Sequence, residues 1–487
     1  MAAVCALDVG TTRIKALLLD EELSPGPLAS VPSVLSTPEP GAAEVDVEAL
    51  WAQALAAIRQ TARASAPVAA VVIANQRATV LPVDDAGHPR GPGLSWQDTR
   101  GGTTLATWLQ GVGREHFAQV TGLVPSAIWS VSKILWWREH GWPAGTRVAT
   151  VQDWLLRRLG AGEWMLDPAN ASLTGLLDIH SLAWDAGLVQ AAGLSLEQLP
   201  ALVPSGTQIG ALSAEAASAT GLSAGTPLIL GGGDQQCANL GAGVWHPGLV
   251  TVNLGTAGVV SAPSERVVID PAGRLVCVAH VLPGRWLLEG LEDAYGGAHR
   301  WGQSLLGAPL VDLAGAAPAG SRGLLFFPYL AGSGAPDHDS TARAALLGLT
   351  LAHGPADVAR AILEGTTIEL ARIVAATREF LAPRLLVASA GAATHNLLLE
   401  MLANLTNLPV ALAPHPETAL MGAGLLAWLG LRRWPTADAA LAALPPRAKT
   451  IHPDPQEAAT HRALLDRYQA TLAVLRKGRT LSLGGAR

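Results

Sequence analysis

The sequence predicts an α/β protein of two large domains built around a duplicated strand–turn–strand unit, and three observations carry that reading. The chain has 487 residues, more than one ordinary hydrophobic core serves, so two domains with a cleft between them are expected. The apolar run 4–7 ends in Asp8-Val9-Gly10-Thr11-Thr12-Arg13 before 14–19 resumes it. The same pattern returns half a chain later, where 249–252 leads through Asn253-Leu254-Gly255-Thr256 to 257–260, with Asn253 where Asp8 stood. Within 227–241, Leu228, Ile229 and Leu230 give a short buried strand. Gly231-Gly232-Gly233 is expected to turn the backbone sharply, and Asp234 to stand at the mouth of a helix beginning near Gln235.

Composition narrows the classes. Apolar residues are 49% and charged residues 15% of the chain, which describes a folded protein, not a disordered one. A net charge of -6 without any basic run offers no attraction to nucleic acid or anionic lipid. The longest uncharged interval, 235–264, is rich in Gly, Asn, Gln and Thr, so no membrane span is expected. Asp8 interrupts the N-terminal apolar run too early for a signal peptide, and a cytoplasmic location is expected. Cys5, Cys237 and Cys277 are odd in number and form no CxxC pair, which argues for small core residues and against a disulfide framework or zinc site.

Each element then suggests its chemistry. The first glycine turn opens into a strand, whereas a dinucleotide fingerprint or P-loop opens into a helix; Lys449-Thr450 lacks the P-loop glycines. Either hairpin alone can be a mere tight turn. Together, their backbone N–H groups and threonine hydroxyls suit a polyphosphate, with Asp8 binding Mg2+ through its waters. Strand 71–74 emerges into Asn75-Gln76-Arg77, and 94–100 carries Trp96, Gln97 and Asp98. Planar donors and acceptors beside an aromatic face suit a sugar, although Arg77 and Asp98 can also form a surface ion pair. Trp129, Trp136, Trp137, Trp154 and Trp164 read as packing between helices. Asp234 is either a helix cap, contributing about 1 kcal/mol, or a base that accepts a proton from an attacking hydroxyl. Strand 385–389 enters a small-residue turn at Gly391 and Ala392 before a helix over 394–405, where His395 or Asn396 can bond a base or ribose.

On these residues the chain resembles the FGGY carbohydrate kinases, within the actin and sugar-kinase superfamily, over nearly its whole length. Residues 7–12 resemble the first phosphate motif, 253–256 the second, and 388–393 the adenosine motif. Residues 344–349 and 357–364 fit the C-terminal signature. The N-terminal signature around Ser130, Lys133 and Trp136 fits in part, with Ile128 and Trp137 departing. The resemblance implies two ribonuclease-H-like (actin-like ATPase) domains, each a mixed five-stranded sheet flanked by helices, hinged over a central cleft. It implies a sugar-binding domain over 1–243 and a nucleotide-binding domain over 244–433. Beyond them lies a C-terminal extension over 434–487, with a helix over 455–477 and a disordered tail from 478.

ATP and Mg2+ follow from the resemblance, as do roles for single residues. Asp234 is the implied base, and Asp8 with Asp234 the implied Mg2+ ligands. Gly10, Thr11, Thr12, Arg13, Gly255 and Thr256 are implied to meet the phosphates. Gly296 and Arg300 would contact ADP, and Gly391, Ala392, His395 and Asn396 the adenosine. Gln76, Arg77, Trp96, Asp98, Asp234 and Gln235 would contact the acceptor. Asn75-Gln76-Arg77, Trp96-Gln97-Asp98 and Asp234-Gln235-Gln236 lean toward glycerol kinases. Ala78 and Ile128, however, replace a glutamate and a tyrosine that would hold glycerol, and 231–234 with 256–260 sit among xylulokinase-like members. A pentulose such as xylulose is therefore preferred, with glycerol or another polyol as the alternative. A non-catalytic nucleotide- or sugar-binding protein is the reading of another class. The expected partner is a small sugar or polyol, with a homodimer allowed, and neither nucleic acid nor membrane.

Overall fold

The computed structural model describes residues 2–62, 67–142, 145–447 and 449–482. The chain divides into two compact units, neither contiguous in sequence: the first takes 1–245, 263–288 and 417–446, the second 246–262, 289–416 and 447–487.

The first unit holds a six-stranded sheet. Its strands are β1 (Ala3–Val9), β2 (Arg13–Asp20), β3 (Pro25–Pro32), β4 (Val68–Asn75), β5 (Gln208–Ala211) and β6 (Pro227–Gly233), in the order β5-β6-β4-β1-β2-β3. β1 and β2 form the expected antiparallel hairpin, with Asp8 opposite Lys15, and β4 and β6 continue the sheet in parallel. These central strands are apolar at nearly every position because both faces are covered. Cys5, Leu7 and Val9 pack on Leu50, Ala54 and Ile58 of helix α1 (Val47–Ala62). The register sets Val9, Asn75 and Gly233 side by side, so three chain segments leave the sheet at one edge.

Two expectations about that edge are corrected. The three glycines do not turn the chain: they finish β6, and none has a positive φ. Their small size serves close approach, since a Cβ on Gly231 would lie 2.0 Å from the Ile73 carbonyl oxygen. Helix α2 (Asp234–Gly241) begins at Asp234 itself, with Gly233 as its cap, so the capping role considered for Asp234 is not the one observed.

The second unit repeats the plan with β7 (Leu249–Leu254), β8 (Gly258–Ser264), β9 (Trp286–Glu292), β10 (Leu385–Ser389), β11 (Val410–Leu412) and β12 (Thr450–Ile451), in the order β9-β8-β7-β10-β11-β12. β7 and β8 are the second antiparallel hairpin, and β10 then β11 add in parallel. The order β9-β8-β7-β10-β11 therefore matches β3-β2-β1-β4-β6, which extends the duplication from the turns to whole sheets. Both sheets exceed the expected five strands: an antiparallel edge strand, β5 or β12, is added beyond the last parallel one, and the second sheet gains a seventh strand, Val276–Ala279, beside β9. Helices α3 (Tyr295–Leu306), α4 (Pro355–Arg378) and α5 (Asn396–Thr406) supply the core of this unit through Ala298, Ile362, Leu363 and Leu398.

Helix α6 (Thr418–Gly430), late in the sequence, belongs to the first unit. Its Leu420, Leu425 and Trp428 cover the second face of that sheet, against Val4, Ala6, Val72 and Ala74. It also meets α2 backbone to backbone: a Cβ on Gly422 would lie 1.8 Å from the Cys237 carbonyl oxygen, and one on Gly241 would lie 2.0 Å from that of Thr418. The last helix, Pro455–Ser482, runs past the expected break at 478, and the rest of the expected disordered tail, 483–487, lies outside the described residues. All three cysteines are buried and unpaired. Among the described residues, no helix is long and apolar enough to cross a membrane.

Candidate functional site

In the first unit the site is built where β1, β4 and β6 end, the carboxyl edge at which parallel sheets bind ligands. Asp8 is the penultimate residue of β1. Its Oδ1 is buried and accepts no hydrogen bond, and burial, reinforced by the charge of Asp234 and opposed by Lys15, pushes the carboxyl up to about 7. Gly10 closes the turn by donating its N–H to the Arg13 carbonyl at 3.1 Å, and a Cβ there would sit 2.9 Å from the same oxygen. Thr12 and Arg13 are exposed. Arg13 is drawn along β3, its Nε donating to Ser30 Oγ at 2.6 Å.

From β4, Asn75, Gln76 and Arg77 reach the same edge. Arg77 Nε lies 3.4 Å from Asp234 Oδ1, and Arg77 Nη1 lies 3.5 Å from Gln236 Oε1. Asp234 Oδ1 also accepts the Gln235 N–H at 2.7 Å. Asp234 and Gln235 are both half-buried at the start of α2. Behind them, Asn75 and Asn170 exchange amide hydrogen bonds of 3.2 and 3.0 Å, and Asn170 Nδ2 donates to Asp167 Oδ2 at 2.7 Å. This buried ladder anchors the end of β4, and desolvation pushes the Asp167 carboxyl up to about 6.

The 94–100 segment completes the wall. Trp96 donates its indole N–H to Thr11 Oγ1 at 2.9 Å. The ion pair considered between Arg77 and Asp98 is not formed. Asp98 is buried, accepts the Ala43 N–H at 2.9 Å, and takes Arg100 Nη2 at 2.7 Å and Nε at 3.0 Å. Its oxygens are thus committed to holding the segment. Lys133 is also buried, its Nζ donating to the carbonyls of Ala127 at 2.5 Å and Trp96 at 3.2 Å; desolvation drives it down to about 7. Of the tryptophans read as packing, Trp154 is fully buried edge-on to Trp51, and Trp136 carries the Arg100 guanidinium 4.1 Å above its ring.

The second unit assembles its own cluster. Asn253 lies in register with Ser389, so the Gly255-Thr256 turn and the Gly391 turn leave the sheet side by side. Gly296 belongs to this cluster: its N–H donates to the Thr256 carbonyl at 2.9 Å, and a Cβ on it would lie 2.4 Å from the Gly255 carbonyl oxygen. Gly391 faces open space, Ala392 is half-buried, and Arg300, His395 and Asn396 are exposed. Asn396 Oδ1 accepts from Lys449 Nζ at 2.7 Å. His299, which donates or accepts at Thr366 Oγ1 over 2.9 Å, is pushed down to about 4 by burial and by Arg300 and His395. Ala390 holds φ 70° and ψ 179°, a conformation strained for any residue but glycine.

Three residues of this geometry escaped the sequence reading. Lys15 stands opposite Asp8 and pairs with Glu417 at 2.6 Å; a lysine inside the apolar run 14–19 was the available signal. Asp167 and Asn170 read locally as a helix cap, and only the distant Asn75 gives them a further part. Among the described residues no group of three or more His, Cys, Asp or Glu is placed to hold a metal alone. The buried, unbonded Asp8 Oδ1 is the oxygen suited to a hard divalent cation whose remaining ligands are water and phosphate.

Comparison with known proteins agrees with this construction. The model of the FGGY family of carbohydrate kinases, N-terminal domain, matches residues 3–241, and that of the C-terminal domain matches 250–431. A glycerol kinase of Gloeobacter violaceus is 33% identical over 450 residues, 89% of each chain. The solved xylulose kinase of Lactobacillus acidophilus superposes with TM-score 0.93 at 23% identity, over 98% of this chain and 99% of that one. The xylulose kinase of Rhodospirillum rubrum does so with TM-score 0.89 at 29% identity, over 98% and 99%.

Proposed function

The chain belongs to the FGGY family of carbohydrate kinases, and from that premise we propose that it transfers the γ-phosphoryl group of ATP to a hydroxyl of a small polyol, glycerol first among them, in the cytoplasm. The similarity to glycerol kinases over 89% of the chain carries the choice of acceptor. It reverses the order expected from the sequence, which set a pentulose before glycerol. A pentulose remains the second reading, because Ala78 and Ile128 lack the carboxylate and phenol that would grip the smaller polyol.

Asp234 takes the proton of the acceptor hydroxyl as its oxygen attacks the γ-phosphorus, and the bond from that phosphorus to the β-bridging oxygen breaks, its electron pair leaving with ADP. Arg77, 3.4 Å from Asp234, keeps the carboxylate aimed. A positioned base contributes on the order of 10²- to 10⁴-fold, and the rest is positioning and charge neutralisation. Backbone N–H groups of Thr11 and Thr12 in the first turn, whose Gly10 N–H is held by the Arg13 carbonyl, and of the Gly255-Thr256 turn donate to phosphate oxygens. The open face at Gly391 and Ala392 admits a flat base, with His395 and Asn396 at its rim. Asp8, with Asp234, would hold Mg2+, which when bound neutralises phosphate charge.

A coupled ADP-release assay over glycerol, erythritol, xylulose, ribulose and hexoses tests the acceptor. Glycerol is expected to give the highest kcat/KM, and a higher value for xylulose would install the second reading. Asp234→Ala is expected to abolish transfer while leaving affinity for metal-free ADP within about twofold, since neither role given to Asp234, base or Mg2+ ligand, touches the nucleotide itself. Turnover retained in that variant removes Asp234 from its role.

A further inference from the structure

We propose that Thr11, on the first phosphate turn, is a positioning residue for the acceptor: its hydroxyl closes a hydrogen-bonded ring with Gln76, Thr79 and Trp96 that sets the acceptor wall. The inference rests on the reading that Gln76 and Trp96 flank the acceptor. Thr11 Oγ1 donates to Gln76 Oε1 at 3.0 Å and accepts from Trp96 Nε1 at 2.9 Å. Thr79 mirrors it, donating to the same Oε1 at 3.2 Å and accepting the Trp96 backbone N–H at 3.3 Å. A hydroxyl has one proton to give, and here both are given to one amide oxygen. The reversed amide would leave both hydroxyl protons without an acceptor inside the ring, so the ring itself selects the orientation.

Three consequences follow for binding. With both lone-pair directions of Oε1 filled, the Gln76 amide turns its NH2 away from the ring, a fixed pair of donors for acceptor oxygens. The Trp96 indole N–H is already spent, so Trp96 offers its ring to CH groups of the acceptor, while Lys133 Nζ holds its backbone carbonyl at 3.2 Å. The Thr11 proton is committed within the ring, so a phosphate oxygen meets this residue through its backbone N–H. One hydroxyl therefore belongs to both the phosphate turn and the acceptor wall, and displacement of either is felt by the other.

Thr11→Val keeps the shape and removes the hydroxyl, and Thr11→Ser restores it. Loss of these bonds is expected to raise KM for the acceptor about 3- to 10-fold, with KM for MgATP within about twofold and the serine variant near the parent. A rise confined to KM for MgATP, or failure of serine to restore the acceptor KM, overturns the proposal. A second measurement needs no turnover. The Trp96 indole N–H resonance, assigned by its loss in Trp96→Phe, should exchange with solvent at least about tenfold faster in Thr11→Val than in the ligand-free parent or Thr11→Ser. Unchanged exchange overturns the ring, whatever acceptor the enzyme proves to use; faster exchange with no turnover of any tested acceptor retains the ring and places the failure in the reading of the acceptor.

Discussion

Gly422→Ala adds one methyl group at the point where α6 touches α2, and it should cost both stability and turnover. The new Cβ would lie 1.8 Å from the Cys237 carbonyl oxygen, against the 3.0 Å that Cβ atoms keep, so the two helices must part by roughly 1.2 Å. The obstructing atom is backbone and has no rotamer into which to retreat. Overpacking of this kind costs about 1–3 kcal/mol, and alanine recovers about 1 kcal/mol of helix propensity over glycine. An overlap of roughly 1.2 Å with rigid backbone belongs at the upper end of that range, so a net loss of about 2 kcal/mol is expected in urea unfolding followed by fluorescence. The shift acts on α2, whose first residue is Asp234. A misplacement near 1 Å at a reacting group can cost about 10²-fold, so kcat should fall toward that extent in the folded variant. Gly111→Ala is the control: it lies in the helix Gly102–Val112 with nothing within 4 Å of its added Cβ, and it should stabilise by about 0.5–1 kcal/mol. Gly422→Ala as stable as the parent would refute the close crossing. Lost stability with unchanged kcat would refute its transmission to Asp234.

Other perturbations have equally definite signs. Ala390 at φ 70° and ψ 179° occupies a region that costs about 1–3 kcal/mol for a residue with a side chain. Ala390→Gly should therefore raise the unfolding free energy by about 1 kcal/mol after glycine's own entropy is subtracted, and a lowered free energy would contradict the assigned turn. Asp8 rises from an ordinary 3.8 to about 7 in the fold. A raised acid holds its proton more tightly folded than unfolded, so its stabilising contribution is full below about 4 and is lost as pH climbs to about 7. Asp8→Asn should thus be more stable than the parent at pH 8 in the absence of nucleotide, with the gap closing toward pH 4, while its transfer activity is lost. Equal pH profiles of stability in the two proteins would sink this account.

The features legible in sequence are those whose cause is local. Both hairpins could be read because each Gly-Thr turn is flanked by apolar runs that need no distant partner to become strands. The pairing of β1 with β4, and of β7 with β10, depends on segments far away, and nothing local to either strand announces it. The glycines at 231–233 show the limit. A glycine that permits a turn and a glycine that permits contact have the same letter, and only Ile73 on the neighbouring strand distinguishes them. Asp98 shows another: beside Trp96 and Gln97 it reads as part of a polar wall, but Arg100, two residues on, captures it. Helix α6 could not be assigned to the first unit from its order in the chain. Its reason for being there is the facing pair Gly241 and Gly422, small at both points of crossing.

Under the proposed function, the duplicated sheets also give one frame two kinds of binding edge. Asp8 and Asn253 hold equivalent places, each two residues before the glycine of its turn. In the first unit that place carries a carboxylate, facing Lys15, with Gln76, Arg77 and Asp234 on the adjoining strand ends. Those are the groups that proton transfer and a divalent cation require. In the second unit the place carries a neutral amide, and the adjoining ends carry Gly255, Gly296, Gly391 and Ala392. A second carboxylate there would repel a polyphosphate, and larger side chains would keep a flat base from the backbone. The two copies therefore differ at strand ends while sharing their strand order, as the proposed function requires: charge at the edge assigned to catalysis, and none at the edge assigned to the nucleotide.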